Sequence, residues 1–226
     1  MCGRAYETYT DEELFLRYMN KQRVKIPSLK PNYNIAPTQN VLVLRNVDGD
    51  KQFDLFQWGL IPVWEKEFKT KLSTINAKAE TVFESKLYKG PVTKRRCIVP
   101  LSGFIEWKRE GDTKRPFAIH LKDEPIMSVA GIWETWKSSG KGEESERHSF
   151  SIITTAANEF MEKIHDRMPV ILAPKDEDAY LDATQKPEAI AKLLKPCPKS
   201  WLAAYEISTL INSPRNNRPE VLEPIA

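Results

Sequence analysis

The chain has 226 residues, of which 34 are basic and 31 acidic, giving a formal net charge of +3. Hydrophobic residues make up 41% and charged residues 29%, which is ordinary for a soluble globular protein with a sizeable core. This balance excludes a histone-like polycation but allows a local basic groove. No apolar run approaches the roughly 18 residues of a transmembrane helix, so we expect no membrane association and a cytoplasmic location.

Three cysteines are present, Cys2, Cys97 and Cys197. Because they are widely spaced and odd in number, they predict neither a disulfide framework nor a CxxC metal pair, and they favour a reducing compartment. No P-loop, GxGxxG, HExxH or GxSxG motif occurs in the sequence. We therefore expect no metal and no other cofactor.

In its first ninety residues the sequence predicts two helices and a hairpin between them. A capping threonine and three acidic residues open an amphipathic helix over residues 11–20. Strands at 41–44 and 53–58 are joined by the turn signal Asp48-Gly49-Asp50. The roughly helical spacing of apolar residues then predicts a helix over 76–89.

The rest of the chain is rich in predicted strands. These lie at 95–100, 103–107, 117–121, 126–136, 150–155, 169–172 and 201–208, with short helices at 156–165, 176–181 and 188–194. The first two segments are either two short strands or one bent strand. Residues 137–147 predict a polar loop, and the tail 211–226 is expected to be extended. The absence of repeats, long linkers and βαβ alternation predicts one α+β domain over residues 1–226. We expect its core to be antiparallel and β-rich, either barrel-like or two packed sheets, with short helices at its flanks.

The first four residues, Met1-Cys2-Gly3-Arg4, offer unusual chemistry. If Met1 is removed, as a small second residue permits, Cys2 carries a free α-amine beside its thiol. The amine can condense with an aldehyde to an imine, and the thiol can then close a thiazolidine ring. An α-amine titrates near ~7.7–8.0 and a thiol near ~8.5, and we expect Arg4 to lower the pKa of this thiol. The alternative is an ordinary early cysteine behind a retained Met1.

Glu106 and His165 are the candidates for proton transfer. Glu106 lies among apolar residues in a predicted strand, where burial would raise the pKa of its carboxyl to a useful value. The alternative is an alternating strand with Glu106 pointing outward. His165 ends a predicted helix, whose dipole would favour the charged imidazole. Its alternative role is a simple helix C-cap.

Other residues have a structural and a functional interpretation. Asn76 either caps the predicted helix that follows or holds a sugar hydroxyl as a neutral donor and acceptor. Trp58 and Leu60 either belong to the core or, if exposed, stack on or wedge apart bases. Basic residues such as Arg4 and Arg167 are scattered, which is typical of a solvated surface.

These residues belong to eight short motifs that occur in order along the chain. They are Met1-Cys2-Gly3-Arg4, Asn34-Ile35-Ala36-Pro37-Thr38, Trp58-Gly59-Leu60-Ile61-Pro62, Asn76-Ala77-Lys78-Ala79-Glu80, Arg96-Cys97-Ile98-Val99-Pro100, Gly103-Phe104-Ile105-Glu106-Trp107, Ala130-Gly131-Ile132-Trp133-Glu134 and His165-Asp166-Arg167-Met168-Pro169. Together they closely resemble the SRAP family, the SOS-response-associated peptidase proteins that process abasic sites. The motifs extend over nearly the whole chain.

The resemblance implies a protein that crosslinks itself to abasic sites in single-stranded DNA. Cys2, exposed by loss of Met1, would capture the ring-opened sugar aldehyde as a stable thiazolidine. Glu106 and His165 would form the acid–base pair, with Glu106 also assisting Met1 release and His165 also promoting reversal, and Asn76 would orient the sugar. DNA contacts are implied for Arg4, Lys78, Trp58, Leu60, Thr154 and Arg167. We expect a monomer that associates with the nucleoid during DNA damage, and a strand-cleaving lyase side activity.

One residue departs from the family pattern, which has arginine where this chain has Lys78. Lysine keeps the charge but lacks the bidentate fork that suits phosphate, so we expect a weaker DNA contact there. Two other functions stay open. One is an N-terminal-nucleophile hydrolase that uses Cys2 or Glu106 with His165. The other is a non-covalent single-stranded nucleic-acid binder in which Cys2 is incidental.

Overall fold

A computed structural model describes residues 2–19, 30–138 and 145–225. Its strands are β1 (Ala5–Glu7), β2 (Asn32–Ile35), β3 (Asn40–Val47), β4 (Asp50–Trp58), β5 (Asn76–Lys78), β6 (Arg96–Leu101), β7 (Gly103–Glu110), β8 (Thr113–Leu121), β9 (Met127–Lys137), β10 (Glu146–Ala156), β11 (Arg167–Pro169), β12 (Ile171–Leu172) and β13 (Leu202–Glu206). Its α-helices are α1 (Asp11–Tyr18), α2 (Lys89–Lys94), α3 (Glu177–Leu181) and α4 (Pro187–Ala191). In the described ranges no helix is long and apolar enough to cross a membrane.

Helix α1 begins where the sequence predicts it. The Thr10 side chain accepts a hydrogen bond from the backbone N–H of Glu13, and the Glu13 carboxylate accepts one from the backbone N–H of Thr10. This capping box satisfies two N–H groups that a helix start leaves without partners. Leu14 and Tyr18 are buried and fix the helix to the core. The predicted last residue, Asn20, lies outside the described residues.

Five strands form a closed barrel in the order β9, β6, β3, β4 and β10, with β10 returning to β9. The β4–β10 pair is parallel and the other four pairs are antiparallel. Strands β5 and β11 also pair with β10, and β12 pairs with β9. A second, antiparallel sheet has the order β13, β8, β7, β1 and β2. The predicted α+β fold with a β-rich, largely antiparallel core is confirmed.

One buried apolar cluster contains side chains of both sheets. Phe104 of β7 belongs to it with Phe150 of β10, and so does the side chain of Cys2. Burial of such an aromatic side chain stabilises the fold by about 1.5–3 kcal/mol. The cluster therefore holds the amino-terminal residues between the barrel and the second sheet.

The predicted hairpin between β3 and β4 is confirmed. Val47 pairs with Asp50, so the loop consists of Asp48 and Gly49 alone. Both loop residues have positive φ, 53° and 98°, which matches the right-handed twist of the strands and favours glycine.

The predicted helix over 76–89 is wrong. Residues Asn76–Lys78 form β5, which pairs in parallel register with Ile152–Thr154 of β10. Turns follow, and α-helix begins only at Lys89. The apolar residues of this segment, such as Ala77 and Val82, are buried without forming a helix. Pairing with the distant strand β10 overrides the local helical preference.

Two further predictions near the carboxyl end are wrong. Strand β10 continues to Ala156, and between 156 and 165 only a 3₁₀ turn at Met161–Lys163 is helical. The tail is not extended, because it forms 3₁₀ turns at Thr209–Asn212 and Pro219–Leu222. Buried apolar side chains in those turns, such as Ile211, hold the tail against the second sheet. Of the predicted loop 137–147, residues 139–144 lie outside the described part.

Candidate active site

The thiol of Cys2 is buried, with 1% of the residue exposed. Burial raises the pKa of this thiol, and the negative charge of Glu106 raises it further. The prediction that Arg4 lowers the thiol pKa is wrong, because its guanidinium is directed elsewhere. The sulfur is therefore a neutral thiol near neutral pH, and a neighbouring base must take its proton before or as it attacks.

The Arg4 side chain joins the amino-terminal segment to the tail. Its Nη1 donates to Oδ1 of Asn34 at 2.6 Å and to the carbonyl oxygen of Ile211 at 2.9 Å. The Asn34 amide in turn donates to three tail carbonyls, those of Ile211, Ser213 and Asn216. These bonds hold the backbone next to Cys2 in place.

Glu106 lies on β7 beside the amino-terminal segment, since the backbone N–H of Ile105 donates to the carbonyl oxygen of Arg4 at 2.9 Å. Its side chain points inward and the residue is 3% exposed, so the outward alternative is wrong. Burial raises the pKa of the Glu106 carboxyl to about 7, against the opposing effect of the positive charge of the amino terminus. At neutral pH the group can therefore give or take a proton.

His165 faces Glu106, with its Nε2 3.9 Å from Oε2 of the carboxyl. The predicted effect of a helix dipole is wrong, because only a single 3₁₀ turn precedes His165 and burial lowers the pKa of the imidazole. Its Nδ1 accepts from the backbone N–H of Arg167 at 3.0 Å, which leaves the ring proton on Nε2, toward Glu106. The Asp166 carboxylate is 2.9 Å from Nδ1 and would favour the opposite tautomer, but it is 86% exposed and screened by solvent.

Asn76 connects the barrel to the amino terminus. Its Nδ2 donates to the carbonyl oxygen of Cys2 at 2.8 Å, so its expected alternative role as a helix cap is wrong. Its Oδ1 is buried and has no hydrogen-bond partner within the described part of the chain. Since an unsatisfied buried acceptor costs about 1–3 kcal/mol, this oxygen is suited to receive a hydrogen bond from a bound hydroxyl.

Three of the predicted DNA-binding residues meet at the edge of the barrel formed by β5, β10 and β11. Lys78 is exposed and pairs in register with Thr154, which is fully buried. Arg167 donates to the carbonyl and hydroxyl oxygens of Thr154 and forms a bidentate ion pair with Glu80. Thr154 therefore positions Arg167, and a phosphate at this guanidinium would have to compete with Glu80.

A cavity of about 400 Å³ opens beside the acid–base pair. Its lining consists of Glu106, Trp107, Arg109, Lys114, His165 and Asn212. Trp107 is held in place by the hydrogen bond that its Nε1 donates to Oδ1 of Asn212 at 2.8 Å. Sequence reasoning identified only Glu106 and His165 here. Alternation along β7 predicts Trp107 and Arg109 on the face opposite Glu106, so it gave no signal that they line the same cavity.

The family model for SOS response associated peptidase (SRAP) matches residues 1–214 of the chain. The chain belongs to the SRAP family. It is 38% identical to the abasic site processing protein YoqW of Bacillus subtilis (strain 168) over 225 residues, 99% of each chain. It is 30% identical to the abasic site processing protein YedK of Escherichia coli (strain K12), with all of both chains covered. The crystal structure of a Bacteroides thetaiotaomicron protein is 30% identical, has a TM-score of 0.86 and covers all of both chains.

Two residues predicted to stack on DNA in this SRAP chain belong to the core instead. Trp58 is 1% exposed, stacks on Phe150 and donates from Nε1 to the carbonyl oxygen of Ile75 at 2.9 Å. Leu60 is fully buried. The exposed aromatic of this segment is Trp64, at 59%, which sequence reasoning did not select.

The other two cysteines of the SRAP chain are also buried. Cys97 and Cys197 are free and buried, and burial raises the pKa of both thiols, that of Cys197 to about 12. Among the described residues no group of three or more His, Cys, Asp or Glu side chains could hold a metal ion.

Proposed function

We propose that this SRAP protein captures abasic sites in single-stranded DNA as a thiazolidine formed by Cys2 after removal of Met1. The observation that carries the proposal is the convergence of Cys2, Glu106 and His165, which lie far apart in sequence. The Glu106 charge acts on the Cys2 thiol, and Oε2 of Glu106 is 3.9 Å from Nε2 of His165. The names of the relatives YoqW and YedK, abasic site processing proteins, support DNA with this lesion as the ligand.

The reaction needs no group from outside the protein and the DNA. The α-amine of Cys2 adds to the sugar aldehyde, and the resulting carbinolamine loses water to give an imine. The Cys2 sulfur then bonds to the imine carbon while the thiol proton passes to the nitrogen. The balance is one aldehyde, one amine and one thiol converted to one thiazolidine and one water.

Glu106 and His165 supply the proton transfers that these steps require. The sugar of an abasic site is mostly ring-closed, so a proton must reach the ring oxygen and another must leave the hydroxyl before the aldehyde forms. A carboxyl with a pKa of about 7 and a neutral imidazole can exchange these protons at neutral pH. Positioned acid–base groups of this kind typically accelerate a step by about 10²–10⁴-fold. The same groups would serve Met1 release, crosslink reversal and a lyase side reaction through the imine.

The DNA contacts in this proposal are electrostatic and aromatic. Lys78 and Arg167 hold phosphates at the edge formed by β5, β10 and β11, and Asn76 orients the sugar beside Cys2. Arg4 contributes by fixing the amino-terminal segment, because its guanidinium is occupied by Asn34 and Ile211. Trp64 takes the base-stacking role that sequence analysis gave to Trp58 and Leu60.

Crosslinking of a defined oligonucleotide tests the proposal. Protein whose intact mass shows loss of Met1 is incubated with single-stranded DNA carrying one abasic site, and the products are separated on a denaturing gel. We expect a shifted band with the unmodified protein and none with Cys2→Ala. Cys197→Ala, which removes another buried thiol, is the matched control and should retain the band.

The same assay separates the rival functions. A band that persists in Cys2→Ala would exclude the thiazolidine. No band with the intact protein, together with tight binding of undamaged DNA, would indicate a non-covalent binder. No band together with cleavage of a peptide substrate would indicate a hydrolase.

A further inference from the structure

Two exposed cations face each other on the hairpin of β7 and β8. Arg109 is the direct cross-strand partner of Lys114, and both are exposed. Side chains directly opposite in an antiparallel pair have Cβ atoms about 4.5–5.5 Å apart, and like charges in these positions destabilise the sheet. A bound anion between them would remove this repulsion.

Neighbouring cations of the same hairpin are neutralised by carboxylates. Lys108 pairs with Glu110 at 2.5 Å, and Arg115 pairs with Glu110 at 3.1 Å and also with Glu206. Within the described ranges, neither Arg109 nor Lys114 has an ion pair with a carboxylate. Among the described residues, Lys108 and Arg115 therefore have carboxylate partners, whereas Arg109 and Lys114 do not.

The pair without partners lines the cavity that contains the acid–base groups. Arg109 and Lys114 line it together with Glu106 and His165. Arg109 and His165 line the same cavity, and after burial the positive charge of Arg109 contributes to lowering the pKa of the His165 imidazole. A strand that enters this cavity with its sugar at Cys2 would bring a flanking phosphodiester to the two cations.

We propose that Arg109 and Lys114 form a phosphate subsite for single-stranded DNA next to the nucleotide held at Cys2. The inference rests on the proposed function and specifies where the flanking strand leaves the site. Two cations that neutralise DNA phosphates displace two counterions, so the subsite contributes to the salt dependence of binding. For single strands, each such contact adds about 0.7 to the slope of log K against log salt concentration.

The test compares two double variants that remove the same charge from the same hairpin. Arg109→Ala/Lys114→Ala removes the cavity pair, and Lys108→Ala/Arg115→Ala removes the ion-paired cations as the matched control. Affinity for an undamaged single-stranded oligonucleotide is measured over a series of salt concentrations. We expect the cavity variant to lose about 1.4 from the slope and to bind more weakly at low salt, and the control to keep the wild-type slope.

The outcomes separate this subsite from the proposed function. Wild-type slopes in both variants, or equal losses in both, would overturn the subsite, and crosslinking of abasic DNA by the intact protein would leave the proposed function standing. Loss of slope in the cavity variant alone supports the subsite even if the intact protein fails to crosslink. Melting temperatures check folding, and removal of the like charges should leave that of the cavity variant unchanged or higher. If the alanine variant unfolds, Arg109→Gln/Lys114→Gln is measured in its place under the same criteria.

Discussion

The side-chain amide of Asn76 donates a hydrogen bond of 2.8 Å to the carbonyl oxygen of Cys2, across 74 positions of sequence. This bond orients the residue whose amine and thiol would react. Asn76 itself is fixed because β5 pairs with β10 and because the Tyr88 hydroxyl donates to its carbonyl oxygen at 3.2 Å. The barrel thus positions the amino terminus through one side chain.

Asn76→Ala should slow crosslinking about fivefold, because a hydrogen bond contributes about 1 kcal/mol and each 1.4 kcal/mol corresponds to about a factor of ten in rate. The rate is measured from the appearance of the denaturation-resistant band at saturating DNA. Asn216→Ala is the matched control, since Nδ2 of Asn216 donates a bond of the same length to the carbonyl oxygen of Leu210. Equal rates in the two variants would show that Asn76 has no positioning role.

Glu106→Gln should change how stability depends on pH. In the folded protein the carboxyl has a pKa of about 7 instead of 4.5, so the folded state holds the proton more tightly. The stability that this proton provides is present below pH 4.5 and is lost as the pH rises through about 7. Glutamine does not titrate, so its free energy of unfolding lacks this loss. Relative to wild type, the variant should gain about 3 kcal/mol of unfolding free energy as the pH rises from 4.5 to about 7. Urea unfolding at a series of pH values measures the difference.

Glu7, a second buried carboxyl, provides the control that distinguishes the effect of Glu106 on stability from its effect on the reaction. Burial also raises the pKa of Glu7 to about 7, and Glu7 accepts a hydrogen bond from the Tyr9 hydroxyl. Glu7→Gln should therefore reproduce the stability effect while keeping the crosslinking rate, whereas Glu106→Gln should slow the reaction. Normal crosslinking by Glu106→Gln would remove Glu106 from the mechanism.

Trp64→Ala should weaken binding of single-stranded DNA without loss of stability. Trp64 is 59% exposed, and stacking of a base on an aromatic side chain contributes about 1–3 kcal/mol. Trp58→Ala should instead destabilise the fold by about 3–5 kcal/mol, because Trp58 is buried against Phe150. Fluorescence anisotropy and thermal melts of both variants give the comparison, and unchanged affinity in Trp64→Ala would leave the stacking role without support. Leu72→Ala, which removes another exposed apolar side chain, is the control.

Lys78→Arg should tighten DNA binding several-fold. Lys78 is exposed at the end of β5, so the longer guanidinium has room to form a bidentate contact with a phosphate. Lys71→Arg, at another exposed lysine, is the control for a general effect of arginine. If the two variants bind equally, Lys78 does not contact the backbone of the DNA.

The sequence alone predicted the features that depend on neighbouring residues. The capping box of Thr10 and Glu13 and the turn at Asp48 and Gly49 are formed within a few positions, and both occur as predicted. The order of motifs along the chain also identified the family, which the SRAP match over residues 1–214 confirms.

Only the tertiary structure decided what depends on distant contacts. Pairing with β10 made Asn76 part of a strand instead of a helix cap, and burial removed Trp58 from any surface. Burial likewise raised the pKa of the Cys2 thiol where the nearby Arg4 in sequence predicted a lower one. The physical reason is that desolvation and charge act through space. Both effects depend on residues that the fold brings together. Glu106 and the side chains that bury the Cys2 thiol are distant from Cys2 in the sequence.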